Sequence, residues 1–151
     1  MIGVSPLPTV IGLATVTGDQ GPAGPRQIYF GCASSTFTTT PAYYYPNSTI
    51  FTITTLPVPV EVNVAGYLRN LFVRTTTNAC DTDTTFVVYL NGSATALSVV
   101  LTAGSVAMVF DTTNQITVAA GDKITFRSTR PAGTFGIGLG TTYAMFEAVP
   151  T

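Results

Sequence analysis

Histidine is absent from this chain of 151 residues. That removes the imidazole base on which Ser-His-Asp hydrolysis depends. It also removes a principal ligand of zinc sites. Cysteine is nearly absent: Cys32 and Cys80 are the two, far apart in sequence. Two cysteines make at most one bridge and no disulfide framework. A single bridge and a pair of buried free thiols both remain open, the second being the ordinary state in a reducing compartment. Charge is scarce as well, at 9% of residues, against about 25% in typical soluble domains. The six Lys/Arg are scattered and form no basic stripe, which speaks against nucleic acid as a partner. No apolar run approaches the roughly 18 residues that a membrane-spanning helix needs, so no membrane partner is expected. The opening residues, Met1-Ile-Gly-Val-Ser-Pro-Leu-Pro, lack the basic region of a secretory leader. The expectation is a product that folds in a cytoplasm and works wherever its assembly takes it.

Hydrophobic residues make up 46% of the chain, enough for one domain of this length to bury a full core. With so little charge, much of the surface must be Thr, Ser, Asn and apolar side chains. Such a surface self-associates or is covered by a partner.

Residues 1–26 are set apart by composition. They are rich in Gly and Pro and hold three consecutive Gly-X-Y triplets, Gly18-Asp-Gln, Gly21-Pro-Ala and Gly24-Pro-Arg26. Glycine at every third residue suits three polyproline II strands around a common axis, although three triplets cannot hold a triple helix alone. A Pro/Gly linker is the alternative. Either way the segment reads as an arm leading into a body at 27–151. Its apolar residues Ile2, Val4, Leu7, Val10, Ile11 and Leu13 are the ones expected to grip a partner.

The body reads as strands. Phe86-Val-Val-Tyr-Leu-Asn91-Gly92-Ser-Ala-Thr-Ala-Leu97 carries the strongest short-range hairpin signal, Asn-Gly between apolar runs, because both central residues of a type I′ turn need positive φ. Gln27–Phe30 and Thr49–Thr54 read as short strands. Val58, Val60, Val62 and Val64 alternate toward one face, and Pro59 marks an edge or a strand start. Tyr67–Thr75 loses its alternation near Arg69-Asn70, which suggests a bulge. Thr84–Leu90 is apolar on both faces, as a strand covered twice would be. Ala94–Leu101, Val106–Phe110, Ile116–Val118, Lys123–Arg127 with Ile124 and Phe126 inward, and Thr142–Val149 complete the strands. Thr36–Asn47 and the Gly-rich stretch Gly133 to Gly140 read as loops. No segment has a convincing 3.6-residue period. The fold class is all-β, a sandwich.

Few residues invite chemistry. Asp81-Thr-Asp83 with Asn78 offers oxygens for Ca²⁺, yet lacks a Gly-centred loop and a suitably spaced bidentate Glu, and reads better as a solvated turn. Glu61 and Glu147 are the only glutamates, and paired carboxylates for glycoside hydrolysis would have to flank a cleft. Gly136-Ile-Gly-Leu-Gly140 is followed by no helix that could present amides to a phosphate. The chain is therefore read as a non-enzyme with no cofactor and no metal. Tyr43-Tyr44-Tyr45 suits recognition, since a tyrosine ring buries area at low entropy cost. The same rings could pack over one end of the sandwich or between subunits.

One group of features is similar to a known family. Gly-X-Y triplets precede a β body that ends in Val118-Ala-Ala-Gly121-Asp122-Lys-Ile-Thr-Phe126, a Gly-rich loop, and a last strand Thr142-Tyr-Ala-Met-Phe146. This resembles the C1q/TNF-like jelly roll, as found in trimeric knobs of spore-surface proteins and of phage head-fibre and capsid-decoration proteins. The resemblance covers about residues 27–149 and is specific over 118–146; the long collagen-like stalk of C1q relatives is missing. It implies a jelly-roll homotrimer with an extended N-terminal arm. Val87, Tyr89, Tyr143 and Met145 are the expected trimer interface. The function expected is that of a capsid decoration (cement) protein on the outer surface of a virion, with the major capsid protein or another virion surface protein as partner. The alternative is a receptor- or carbohydrate-binding knob, with Tyr43, Tyr44 and Tyr45 at its tip.

Overall fold

The computed structural model describes residues 26–29, 34–35, 42–44, 51–52, 59–129 and 136–148. The arm residues Ile2 to Leu13, Tyr45 and Cys32 lie outside them. The described residues form eleven strands and no helix. These are β1 (Arg26–Tyr29), β2 (Ser34–Ser35), β3 (Ala42–Tyr44), β4 (Phe51–Thr52), β5 (Val60–Glu61), β6 (Gly66–Asn78), β7 (Thr84–Leu90), β8 (Ser93–Leu101), β9 (Met108–Val118), β10 (Lys123–Thr129) and β11 (Ile137–Ala148).

The strands make two antiparallel sheets. Sheet A runs β1-β11-β6-β9, with β2 also on β11; sheet B runs β4-β3-β10-β7-β8, with β5 also on β10. Period-2 alternation decides what each strand buries. Leu68, Leu71 and Val73 of β6, Val118 of β9, and Ile137 and Ala144 of β11 face inward from sheet A. Phe86 and Val88 of β7, Leu97, Val99 and Leu101 of β8, and Ile124 and Phe126 of β10 face them from sheet B. These side chains form one core cluster. At its heart Phe86 and Phe126 stack with centroids 5.9 Å apart, both fully buried.

The hairpin turn is as read: Asn91 has φ 50° and Gly92 φ 82°. The bulge near Arg69-Asn70 is present too. Asn70 has φ 53°, and it alone stands opposite Thr112, Thr113 and Asn114, because Arg69 pairs with Gln115 and Leu71 with Asp111.

Four expectations need correction. The strand expected at Val106–Phe110 begins at Met108 and is continuous with Ile116–Val118 as one strand, β9, which carries Asp111-Thr-Thr-Asn114 as an internal bulge. The Asp111 carboxylate accepts from the backbone N–H of Thr113 and Asn114, so turn chemistry is satisfied without ending the strand. The glycines at 138 and 140 lie within β11. At Gly138 the partners are Ser34 of β2 and Thr77 of β6, and pairing on both sides fixes the strand there despite its glycines. Ala42–Tyr44, read as loop, pairs with β10 as β3. The valine alternation stops early: Val62 is buried, while Val64 is 51% exposed. After Glu61 the backbone of Val62 turns to bond Asp122 and Gly121.

Gly66 opens β6 where β11 ends. A Cβ there would collide with the Glu147 carbonyl oxygen and come within 2.8 Å of the Phe146 ring. The close approach of these strands therefore requires glycine.

Candidate association surface

The outer face of sheet A follows from the same alternation. With Leu71 and Val73 inward, Phe72 and Arg74 point out; with Ala144 inward, Tyr143 and Met145 point out. Register then lines up one row across four strands: Tyr29 of β1 opposite Tyr143, Tyr143 opposite Phe72, Phe72 opposite Phe110. Phe72 stacks on Tyr143 with centroids 4.9 Å apart at 19°, and meets Phe110 at 5.3 Å and 53°. Both lie within the range of favourable aromatic pairs.

The row runs out to the edge strand β9, where burial falls. Phe110 is 59% exposed, Met108 56%, and Val106, just before β9, 59%. Arg74 stands opposite Met108. A shallow depression of about 360 Å³ lies there, lined by Arg74, Thr75, Val106, Ala107 and Met108. At the other end of the face, Arg69 of β6 and Glu147 of β11 form an ion pair, both side chains partly exposed. Covering a half-exposed ring such as Phe110 is worth about 1–2 kcal/mol. Several such side chains in one patch make a surface that favours contact with a partner.

Sheet B differs. Val87 and Tyr89 of β7 also point outward and are half-buried. Part of the cover there is internal, since the Arg127 guanidinium sits 5.0 Å from the centroid of the Tyr89 ring, a cation–π arrangement. The four residues expected at one interface therefore divide between the outer faces of two sheets. Tyr143 and Met145 lie on sheet A, Val87 and Tyr89 on sheet B. Tyr43 and Tyr44 lie in β3, at the register of Arg127 and Phe126.

Phe72, Phe110 and Met108 were missed by sequence reasoning. The signal was there for Phe72, placed between inward Leu71 and Val73. Phe110 was obscured because Asp111-Thr-Thr-Asn114 read as the end of a strand.

On the opposite face of the same strand, Asp111 is buried. Its Oδ2 accepts from the Ser98 backbone N–H at 3.1 Å and from Asn114 Nδ2 at 2.9 Å. Burial by itself would raise its carboxyl. The hydrogen bonds from Asn114, Ser98 and Thr113 outweigh that, and its pKa lies below the ordinary value. Asp122 organises one end of the sandwich. Its Oδ2 accepts from Ala119 N–H and its Oδ1 from Asn91 Nδ2, each at 2.7 Å. These bonds hold its pKa below the ordinary value too.

Other candidate residues are engaged structurally. Asp83 accepts from Ala103 N–H at 2.9 Å. Asn78 donates to the carbonyls of Thr102 and Ser105 and accepts from Cys80 N–H. Among the described residues, no group of three or more Cys, Asp or Glu could hold a metal ion. Glu147 is committed to Arg69. Glu61 is exposed on β5 and borders a depression of about 210 Å³ with Arg26, Ile28, Val60 and Phe146. Cys80 is a buried free thiol. Among the described residues no helix is long and apolar enough to cross a membrane. Compared with known protein families and with curated proteins, the chain matches none.

Proposed function

We propose that this chain is a structural, self-associating module: a jelly-roll homotrimer that decorates a viral capsid and holds the shell through residues 1–26. The jelly-roll reading is supported by strand order. The sequence of neighbours β1-β11-β6-β9 against β3-β10-β7-β8 is what two interleaved Greek keys leave behind.

The observation that carries the self-association is the aromatic row Tyr143–Phe72–Phe110. It ends in an exposed phenylalanine and methionine on a chain with very little charge. A cyclic trimer uses two different patches of each subunit, so outward residues on both sheets are compatible with it. The step to a capsid surface rests on the resemblance to trimeric decoration proteins and on the apolar, Gly-X-Y-bearing arm. Three arms on one trimer would bind a shell by avidity.

The test is the solution mass of the purified chain by light scattering, with and without residues 1–26. A mass of three subunits in both supports the reading and assigns the arm to an external partner. A monomer in both overturns it.

A further inference from the structure

Asn91 and Gly92 form the only Asn-Gly pair in the chain, and both are exposed at the β7–β8 turn. We propose that Asn91 is a site of spontaneous deamidation, and that the Asp122 carboxylate holds this reaction back in the folded protein.

The reaction needs only water. The deprotonated backbone nitrogen of Gly92 attacks Cγ of Asn91. A C–N bond forms to that nitrogen, the bond to Nδ2 breaks, and ammonia leaves. The resulting five-membered succinimide is opened by water at either carbonyl, giving an aspartyl or an isoaspartyl residue. The net exchange is one side-chain amide and one water for one carboxylate and one ammonia. Gly92 has no side chain to obstruct the attack, and apart from its two chain neighbours no residue comes within 4 Å of where its Cβ would be.

The fold works against this step. Attack requires the Asn91 side chain to swing over the peptide that follows it. In the structure that side chain is held at both ends. Its Nδ2 donates to Asp122 Oδ1 at 2.7 Å, and its Oδ1 accepts from Lys123 N–H at 2.9 Å. The backbone is tied as well, with Asn91 N–H donating to the Lys123 carbonyl at 2.8 Å. The two-residue turn, with positive φ at both positions, resists the same rotation.

Modification would undo the clamp. An aspartate at position 91 has no Nδ2 donor and presents an oxygen to Asp122. Two carboxylates then meet where an amide and a carboxylate had bonded. An isoaspartyl residue adds a methylene to the backbone of a turn that has only two residues. In either case the side-chain clamp between the hairpin tip and the β9–β10 turn is weakened.

The test follows Asn91 in the full chain at mildly alkaline pH, by peptide mass mapping and by an isoaspartyl methyltransferase assay. Wild type is compared folded and in urea, alongside Asp122→Ala with its fold checked by circular dichroism. The denatured chain is expected to convert at least about tenfold faster than the folded one, and D122A to convert about tenfold faster than wild type, the scale of one lost charge-assisted hydrogen bond. Should D122A not fold, Asp122→Asn takes its place, with an increase of about threefold expected because a neutral hydrogen bond is roughly half as strong. No conversion in urea, equal rates for folded and denatured chain, or a wild-type rate in the folded variant overturns the proposal.

Discussion

Phe72 and Tyr143 stack at 4.9 Å on the outer face of sheet A, although they are distant in sequence and meet only because β6 and β11 pair. The partner of Phe72 on the other side, Phe110, is 59% exposed. A contact that covers the row must therefore reach the β9 edge.

Phe110→Ser tests that contact. The side chain lies outside the core, so the fold should keep its stability to within about 0.5 kcal/mol. The proposed trimer should not survive: light scattering is expected to show a lower mass than wild type at the same concentration. An unchanged mass would remove this face from the interface.

Phe126→Ala tests the core stack. The ring is fully buried against Phe86, and its loss leaves a cavity that the sheets cannot close. The expected cost is about 3–5 kcal/mol, read from the midpoint of a denaturant titration of the soluble protein.

Gly66→Ala tests the close approach of β6 and β11. The added methyl meets a backbone carbonyl, which cannot rotate away as a side chain could. Strand separation costs about 1–3 kcal/mol. Thermal unfolding of G66A should show a clear drop in Tm, and a Tm equal to wild type would mean the strands give way freely.

Asp111 gives a pH dependence with a definite sign. Its folded carboxyl titrates below the ordinary value of 3.8 because hydrogen bonds favour the charged form. The unfolded chain thus takes up its proton first as pH falls. The stabilisation is present in full above the unfolded value, about 4, and is lost as pH drops through the folded one. Asp122 shifts in the same direction and adds to the slope. Asp111→Ala leaves the Ser98 and Asn114 donors without this acceptor and should cost about 1–3 kcal/mol at neutral pH. Unfolding free energies measured from neutral pH down to strong acid should converge for wild type and D111A; parallel curves would show that Asp111 carries none of the acid sensitivity.

Legibility followed the local strength of the signal. Asn91-Gly92 announced its turn because few dipeptides tolerate two positive φ values. Ile124 and Phe126 announced their inward face because strict alternation leaves one choice. β9 was harder: Asp111, Thr113 and Asn114 have turn chemistry, and only the partner strand shows that the turn is a bulge opposite Asn70. β11 was harder again, since the glycines at 138 and 140 weaken any strand that is judged alone. Val64 failed for the converse reason. It continues a clean pattern, but the strand that would have used it ends at Glu61. The aromatic row is a property of register between strands, so no single segment displays it. Tyr143 could be proposed as an interface residue, while Phe72 and Phe110 could not be placed beside it.

β11, the last in chain order of the eleven strands among the described residues, occupies an interior position in sheet A, between β1 and β6. While a ribosome is still making this strand, β1 and β6 have no common neighbour. Ile137, Thr142 and Ala144, all buried in the finished molecule, cannot yet fill their places. Sheet B waits in the same way for β10, which lies between β3 and β7, although β7 and β8 can already close as a local hairpin. The nascent chain thus carries a half-built sandwich until β11 emerges, with the inner face of sheet A open to neighbouring nascent chains. Completion of the fold is a late, long-range event, of the kind that proceeds slowly and risks aggregation in the meantime. Synthesis rate and crowding of ribosomes on one message should therefore affect the yield of folded protein.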